Sequence, residues 1–308
     1  MSVQEVQLRL ATSTGENRAA INLRGGGLRE LTVDGADLVE SYPAGSQPPH
    51  SAGAVLFPWP NRVRDGRWSQ HGVVHQLAVN EPELGNAAHG LVREATFVVE
   101  AATPHDVTLR AAVLPQPGYP FAVELRVTYE LTRNGIHVRH QVVNSSGSPA
   151  PVCMGVHPYL RVGATPTDDL TVRIHADAYF AVDDQLIPIA ERRVAGTDLD
   201  LRDGLSIAGK LLNQCYGDVR VVDGRSCHRL EAPDGRAVEL LADESFGYVQ
   251  VYICPSFPRP APAGGMGRAI AIEPMTAPPD AFNSGRGLRW VAPGATWTAT
   301  WGIRLITG

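Results

Sequence analysis

The chain has 308 residues, 44% hydrophobic and 19% charged, with a formal net charge of −5. That balance excludes a general nucleic-acid binder, and no apolar stretch reaches the length a membrane helix needs. Glu5, Arg9, Glu16 and Arg18 interrupt the N-terminal segment, and Cys153, Cys215, Cys227 and Cys254 show no Cys-x-x-Cys spacing; together these predict a soluble, reduced, cytoplasmic protein without a structural metal.

In chain order, a period of two dominates. Val6, Leu8 and Leu10 alternate with polar partners, as do Val107 and Leu109. The longest case runs from Phe121 through Val123, Leu125, Val127, Tyr129 and Leu131, and resumes at Ile136, Val138 and Val142. Between the two halves lies Arg133-Asn134-Gly135, and Asn-Gly predicts a hairpin closed by a type I′ turn. Alternation returns in 170–174, 237–240, 248–252 and 297–306, with Asp-Gly turn signals at 34–35, 65–66, 223–224 and 234–235. No dozen residues sustain a 3.6-residue period. The pattern predicts an all-β fold, a large antiparallel sandwich occupying 1–308 as one domain. The Pro/Gly-rich segment Pro255 to Gly267 reads as a surface connection, with a lid over a pocket as the lesser alternative.

Four segments cluster polar residues that a plain sandwich does not require. In Pro58-Trp59-Pro60-Asn61-Arg62, the aromatic–proline frame is suited to aiming Asn61 and Arg62 at a polar ligand, since a planar guanidinium fits vicinal hydroxyls or a carboxylate. Composition alone favours a proline-rich turn with solvated arginines. His89 in Ala88-His89-Gly90 reads equally as a loop residue. His157, between Val156 and Pro158, is balanced between a core histidine and an acid–base group. Glu273 ends the apolar run 269–272, where a buried carboxylate is costly unless paired, and partial burial would raise its pKa into the useful range for a base. No nucleophile elbow, Walker loop or dinucleotide fingerprint is present. Asp280 is the sole sequence neighbour that could give Glu273 the second carboxylate of a glycosidase.

Taken together, PWPNRVRDGRW, AAHGLVREATF, GYPF, MGVHPYL, YVQVYICP and AIEPMTAPPDAFNSGRGL, from about Pro58 to Leu288, resemble the aldose 1-epimerase (galactose mutarotase-like) family. The resemblance implies a β-supersandwich with a sugar bound across one sheet and no cofactor. It implies Glu273 as catalytic base, His157 as catalytic acid and His89 as a second active-site histidine. Asn61, Arg62 and Gln250 match sugar-contacting positions. Asn213 stands where the family commonly has an aspartate, which leaves the preferred sugar open. Trp59 is a candidate for stacking on the sugar.

The expected partner is a small-molecule sugar, with no nucleic acid or membrane, and the expected state is a monomer or weak dimer. The expected activity is interconversion of the α and β anomers of a free aldose by an acid and a base facing each other across the sugar. Two alternatives share the fold. One is a hexose-6-phosphate epimerase using Arg64 and Arg67; the other is a non-catalytic carbohydrate-binding module.

Overall fold

The structure, a computed structural model, describes residues 5–259 and 264–307. The strands form antiparallel ladders arranged chiefly in two large sheets and one smaller one. The nine-stranded sheet runs, in spatial order, Val98–Ala102, Asp106–Val113, Val123–Leu131, Gly135–Asn144, Thr296–Ile306, Ala237–Asp243, Arg225–Glu231, Thr171–Arg173 and Leu205–Ser206. The eight-stranded sheet runs Pro188–Arg193, Ala176–Val182, Asn213–Val219, Tyr248–Pro258, Met266–Met275, Gly155–Val156 and Val55–Leu56, with Tyr159–Leu160 also pairing onto Met266–Met275. A four-stranded sheet covers Glu5–Asp37. Among the described residues the single α-helix is Ala281–Ser284.

Alternating side chains explain the layering. Leu125, Val127, Val138, Val142, Leu240 and Ile303 from one large sheet bury in the same core as Val249, Val251, Ile270 and Ile272 from the other. Each fully buried aliphatic side chain of this kind contributes roughly 1.5–3 kcal/mol. The opposite parity on the eight-stranded sheet is thereby left for polar work.

Two local expectations change. The hairpin at Arg133-Asn134-Gly135 forms, with Leu131 opposite Ile136, but its turn is not type I′, because neither Arg133 nor Asn134 has positive φ. The Asn17 side-chain amide donates to the carbonyls of Thr132 and Arg133, so a tertiary contact selects the turn. Gly135 is needed for another reason: a Cβ there would meet the Ile303 carbonyl oxygen at 1.8 Å. By contrast, Asp34-Gly35 and Asp223-Gly224 do take the paired positive φ of a type I′ turn. The proposed surface connection 255–267 is a ladder at its two ends. Residues up to Pro258 and from Met266 pair as strands, with Phe257 opposite Gly267, while 260–263 lie outside the described residues.

Candidate active site

The central hairpin of the eight-stranded sheet sets the site. Its register places Gln250 directly opposite Glu273. Val249, Val251 and Ile272 turn to the core, so Gln250, Tyr252 and Glu273 share the other face, and all three line an open cleft of about 300 Å³. The strand period that builds the core thus also builds the site.

His157 reaches the same cleft from the segment between Gly155–Val156 and Tyr159–Leu160. Its backbone is pinned at both ends: His157 N–H donates to the Ala54 carbonyl at 3.1 Å and the Gly53 N–H donates to the His157 carbonyl at 2.8 Å. Asn61, Arg62 and His89 arrive together. Arg62–Val63 pairs antiparallel with Ala87–Ala88, and the His89 N–H donates to the Asn61 carbonyl at 2.7 Å. His89 itself has φ of 64°, followed by Gly90, where a Cβ would meet the Phe57 carbonyl oxygen at 2.2 Å. Glycine permits this close approach, which ties the two sequence segments into one corner.

His157 Nε2 lies 3.4 Å from Glu273 Oε1, and the His89 ring sits edge-on to His157 with centroids 5.7 Å apart. The acid and imidazole therefore do not face each other across a sugar-sized gap, as the sequence reading had it. They stand side by side on the cleft floor. Side-by-side placement suits the chemistry, because the two oxygens that exchange protons in a cyclic hemiacetal are bonded to one carbon.

Burial moves the two groups in opposite directions. It pushes the Glu273 carboxyl up to about 8, against a smaller downward pull from Arg62. It pushes the His157 imidazole down to about 3. With the carboxyl the weaker acid of the two, the pair holds one proton at neutral pH, and that proton rests on Glu273. His89 is held well below its usual value, first by burial and then by His157, Arg62 and Arg93. Four buried polar atoms of this cleft, His89 Nδ1, His157 Nδ1, Tyr159 Oη and Glu273 Oε2, have no hydrogen-bond partner among the described residues. Unpartnered buried polar atoms are costly, and their concentration beside the Glu273–His157 pair marks a place shaped by something other than stability.

A chain of amides crosses the floor. Arg62 Nη1 donates to Asn61 Oδ1 at 3.2 Å, Asn61 Nδ2 to Gln250 Oε1 at 3.3 Å, and Gln250 Nε2 to Asn213 Oδ1 at 2.7 Å. Asn213 stands exposed at the rim. All seven sequence-predicted site residues thus line one cleft. Four further predictions separate from it. Trp59 is buried in the core, packs edge-on to Phe282 and donates its indole N–H to the Ala87 carbonyl, so it does not stack on a ligand. Arg64 pairs with Asp183, and neither it nor Arg67 lines the cleft. Asp280 Oδ1 accepts from the Arg64 N–H and Asn283, in a different hollow from Glu273. Sequence reasoning passed over His50, Asn80, Glu81, Arg93, Tyr159 and Tyr252. Strand parity flags Tyr252 beside Gln250; nothing local flags Glu81, because its loop is brought in by long-range pairing.

Fold and cleft together define a class: a two-sheet antiparallel sandwich carrying a carboxyl–imidazole pair in an open polar cleft on one sheet. The aldose 1-epimerase family model matches residues 8–304, and the chain belongs to the aldose 1-epimerase family. It is 31% identical over 278 residues to the uncharacterized protein YihR of Escherichia coli (strain K12), covering 90% of this chain and 86% of that one. It is 32% identical over 168 residues to the galactose mutarotase of Homo sapiens, a likeness spanning 52% of this chain and 47% of the human one. Among solved structures, the GalM/aldose epimerase homologue from C. elegans superposes with a TM-score of 0.85 at 19% identity, covering 98% and 99% of the two chains. The galactose 1-epimerase from Lactobacillus acidophilus does so at 0.82 and 19%, covering 97% and 94%. At those identities the structural likeness shows the fold, a galactose mutarotase-like sandwich.

Proposed function

We propose that this protein is an isomerase that interconverts the α and β anomers of a free aldose by opening and reclosing its ring, with Glu273 and His157 exchanging one proton through the sugar. The observation that carries this reading is the 3.4 Å pair on the floor of a polar cleft, its two groups displaced in opposite directions by burial. When Glu273 is ionised and His157 protonated, Glu273 takes the proton from the C1 hydroxyl and His157 Nε2 gives one to the ring oxygen. The C1–ring-oxygen bond breaks as the C1 carbonyl forms. The pair is left as a protonated carboxyl and a neutral imidazole, which is its resting arrangement.

Rotation about the C1–C2 bond presents the other carbonyl face. The open-chain hydroxyl then attacks C1, returns its proton to His157, and the new C1 oxygen takes the Glu273 proton. Atoms and charge balance in either direction, because the pair always carries one proton in total. Each proton-transfer partner is worth about 10²–10⁴-fold. Asn61, Arg62, Gln250 and Asn213 hold the remaining hydroxyls, and neutral His89 serves as a hydrogen-bonding neighbour at C1 rather than a charge. The partner in this reading is a small-molecule sugar.

A second reading, a hexose 6-phosphate substrate, has one observation in its favour: Arg93, outside the arginines expected for it, lines the cleft. Polarimetry on freshly dissolved α-glucose, α-galactose and glucose 6-phosphate tests both. Acceleration of the unphosphorylated sugars supports the first; acceleration of the phosphate alone replaces it with the second. No acceleration of any aldose, with sugar binding seen by calorimetry, would make the protein a carbohydrate-binding module.

A further inference from the structure

Arg62 does not reach into the cleft freely. Its Nε donates to Glu81 Oε2 and its Nη2 to Glu81 Oε1, each at 2.7 Å, a fork-to-fork pair that is largely shielded from solvent. A guanidinium has five N–H donors; Glu81 takes two and Asn61 a third, leaving two. Glu81 is itself fixed by a tight turn. The Glu81 N–H donates to the Asn86 carbonyl and the Asn86 N–H to the Glu81 carbonyl, each at 3.2 Å, while Asn86 is anchored to the Gln185 carbonyl. The charge of Arg62 is therefore met by a carboxylate of opposite sign built into the same corner.

The groups around Glu273 show why this matters. His157 faces it from the segment before Pro158, Tyr159 from the short strand beside it, Cys215 from Asn213–Val219, and Tyr252 from the neighbouring strand. Burial keeps His157 neutral and holds the two tyrosines and the thiol protonated. Arg62, from the Arg62–Val63 strand, is the cation whose field reaches the carboxyl. Glu83 and Arg93 also line the cleft. Whatever weakens or strengthens the field of Arg62 is felt at Glu273.

We propose that Glu81 is a positioning residue: by holding both arms of Arg62 it points the two remaining guanidinium donors at the sugar and screens enough of the Arg62 charge to keep the proton on the Glu273–His157 pair. Without Glu81, Arg62 presents a full positive charge to Glu273, the carboxyl ionises at lower pH, and a substantial share of the pairs lose their single proton near neutrality. This inference rests on the anomerase reading for its consequence in catalysis, but its physical core is the protonation of one carboxyl.

The test titrates that carboxyl directly by carbon NMR in protein labelled at the glutamate side-chain carboxyl, with the Glu273 signal assigned by its loss in Glu273→Gln. Glu81→Gln is expected to move the titration down by about one pH unit, within the range for a newly exposed opposite charge. Arg62→Gln is expected to move it up. Glu81→Asp, which keeps the charge, is expected to stay near wild type. The alkaline limb of kcat/KM should shift in the same directions. Glu81→Ser carries the same expectation as Glu81→Gln should that variant fail to fold. A neutral replacement of Glu81 that leaves the titration in place, or that moves it in the same direction as Arg62→Gln, overturns the proposal. Opposed shifts in a protein that accelerates no sugar would overturn the function and leave the role of Glu81 standing.

Discussion

The two large sheets each bury histidines, and the contrast between them shows what turns such a residue toward chemistry. On the nine-stranded sheet, burial pushes His140 and His228 down to about 3, the same displacement as His157 on the other sheet. His140 Nε2 accepts the Trp301 indole N–H at 2.9 Å within the core. His157 presents Nε2 to a buried carboxyl in an open cleft. A depressed pKa is therefore common to structural and reactive histidines here. The distinguishing features are a titratable partner displaced in the opposite sense and a path for a ligand to both.

That contrast is broken most forcefully at the acid–base pair. Glu273→Gln should reduce enzyme-dependent anomerisation on the order of 10²–10⁴-fold, followed by polarimetry under conditions that subtract the spontaneous rate. His157→Gln should give a loss of similar size, while removing both should cost much less than the product of the two, because they act as one unit. His140→Leu is the control from the other sheet. It should leave kcat unchanged and destabilise the fold by about 1–3 kcal/mol, since Trp301 would keep a buried donor without an acceptor. A His140 variant that lost catalysis at intact stability would erase the distinction.

A pH series sharpens the same contrast. With the pair holding one proton between about 3 and about 8, kcat/KM should be level through neutrality and fall as pH rises past about 8. A rate that climbs through pH 8 would mean that the doubly deprotonated pair does the work. Stability responds with opposite signs at the buried imidazoles of both sheets and at the buried carboxyl. His140, His157 and His228 bind protons in the unfolded chain from about 6.5 downward and in the folded one only near 3, so each removes stability as pH falls, at about 1.4 kcal/mol per pH unit. Glu273 holds its proton to about 8 when folded against 4.5 otherwise, so it removes stability as pH rises across that interval. Calorimetry should then show Glu273→Gln more thermostable than wild type at pH 8 and nearly equal to it at pH 4.

Much of this was legible in the sequence because the strand period is local. Alternation placed the hairpin around Gly135 and turned Gln250 and Tyr252 away from Val249 and Val251. What the period could not carry was distance between segments. The type I′ expectation at Asn134-Gly135 failed because Asn17, more than a hundred residues earlier, supplies the hydrogen bonds that choose the turn. Trp59 looked available for stacking because its proline-rich context resembles an exposed turn, yet Phe282 and the Ala87 carbonyl enclose it. Glu81 was invisible for the same cause: its meaning lies in Arg62, which only the pairing of Arg62–Val63 with Ala87–Ala88 brings near. The side-by-side pair was likewise beyond reach, since residue types name an acid and a base but not the vector between them.

The smallest expected effect lies at the rim, where the cleft floor gives way to solvent. Asn213 is the exposed end of the amide chain, and its Oδ1 accepts from Gln250. Asn213→Asp keeps that acceptor and adds a charge, and charge-assisted hydrogen bonds are roughly twice as strong as neutral ones. Exposure screens much of the gain, so KM for the preferred sugar should fall only a few-fold, with kcat unchanged because the residue lies apart from the proton pair. The change should also be uneven across sugars, largest for those whose hydroxyl points at position 213. Steady-state constants for glucose, galactose and xylose would show it; a uniform change in kcat for all three would mean that Asn213 acts on the Glu273–His157 pair through Gln250 rather than on the ligand.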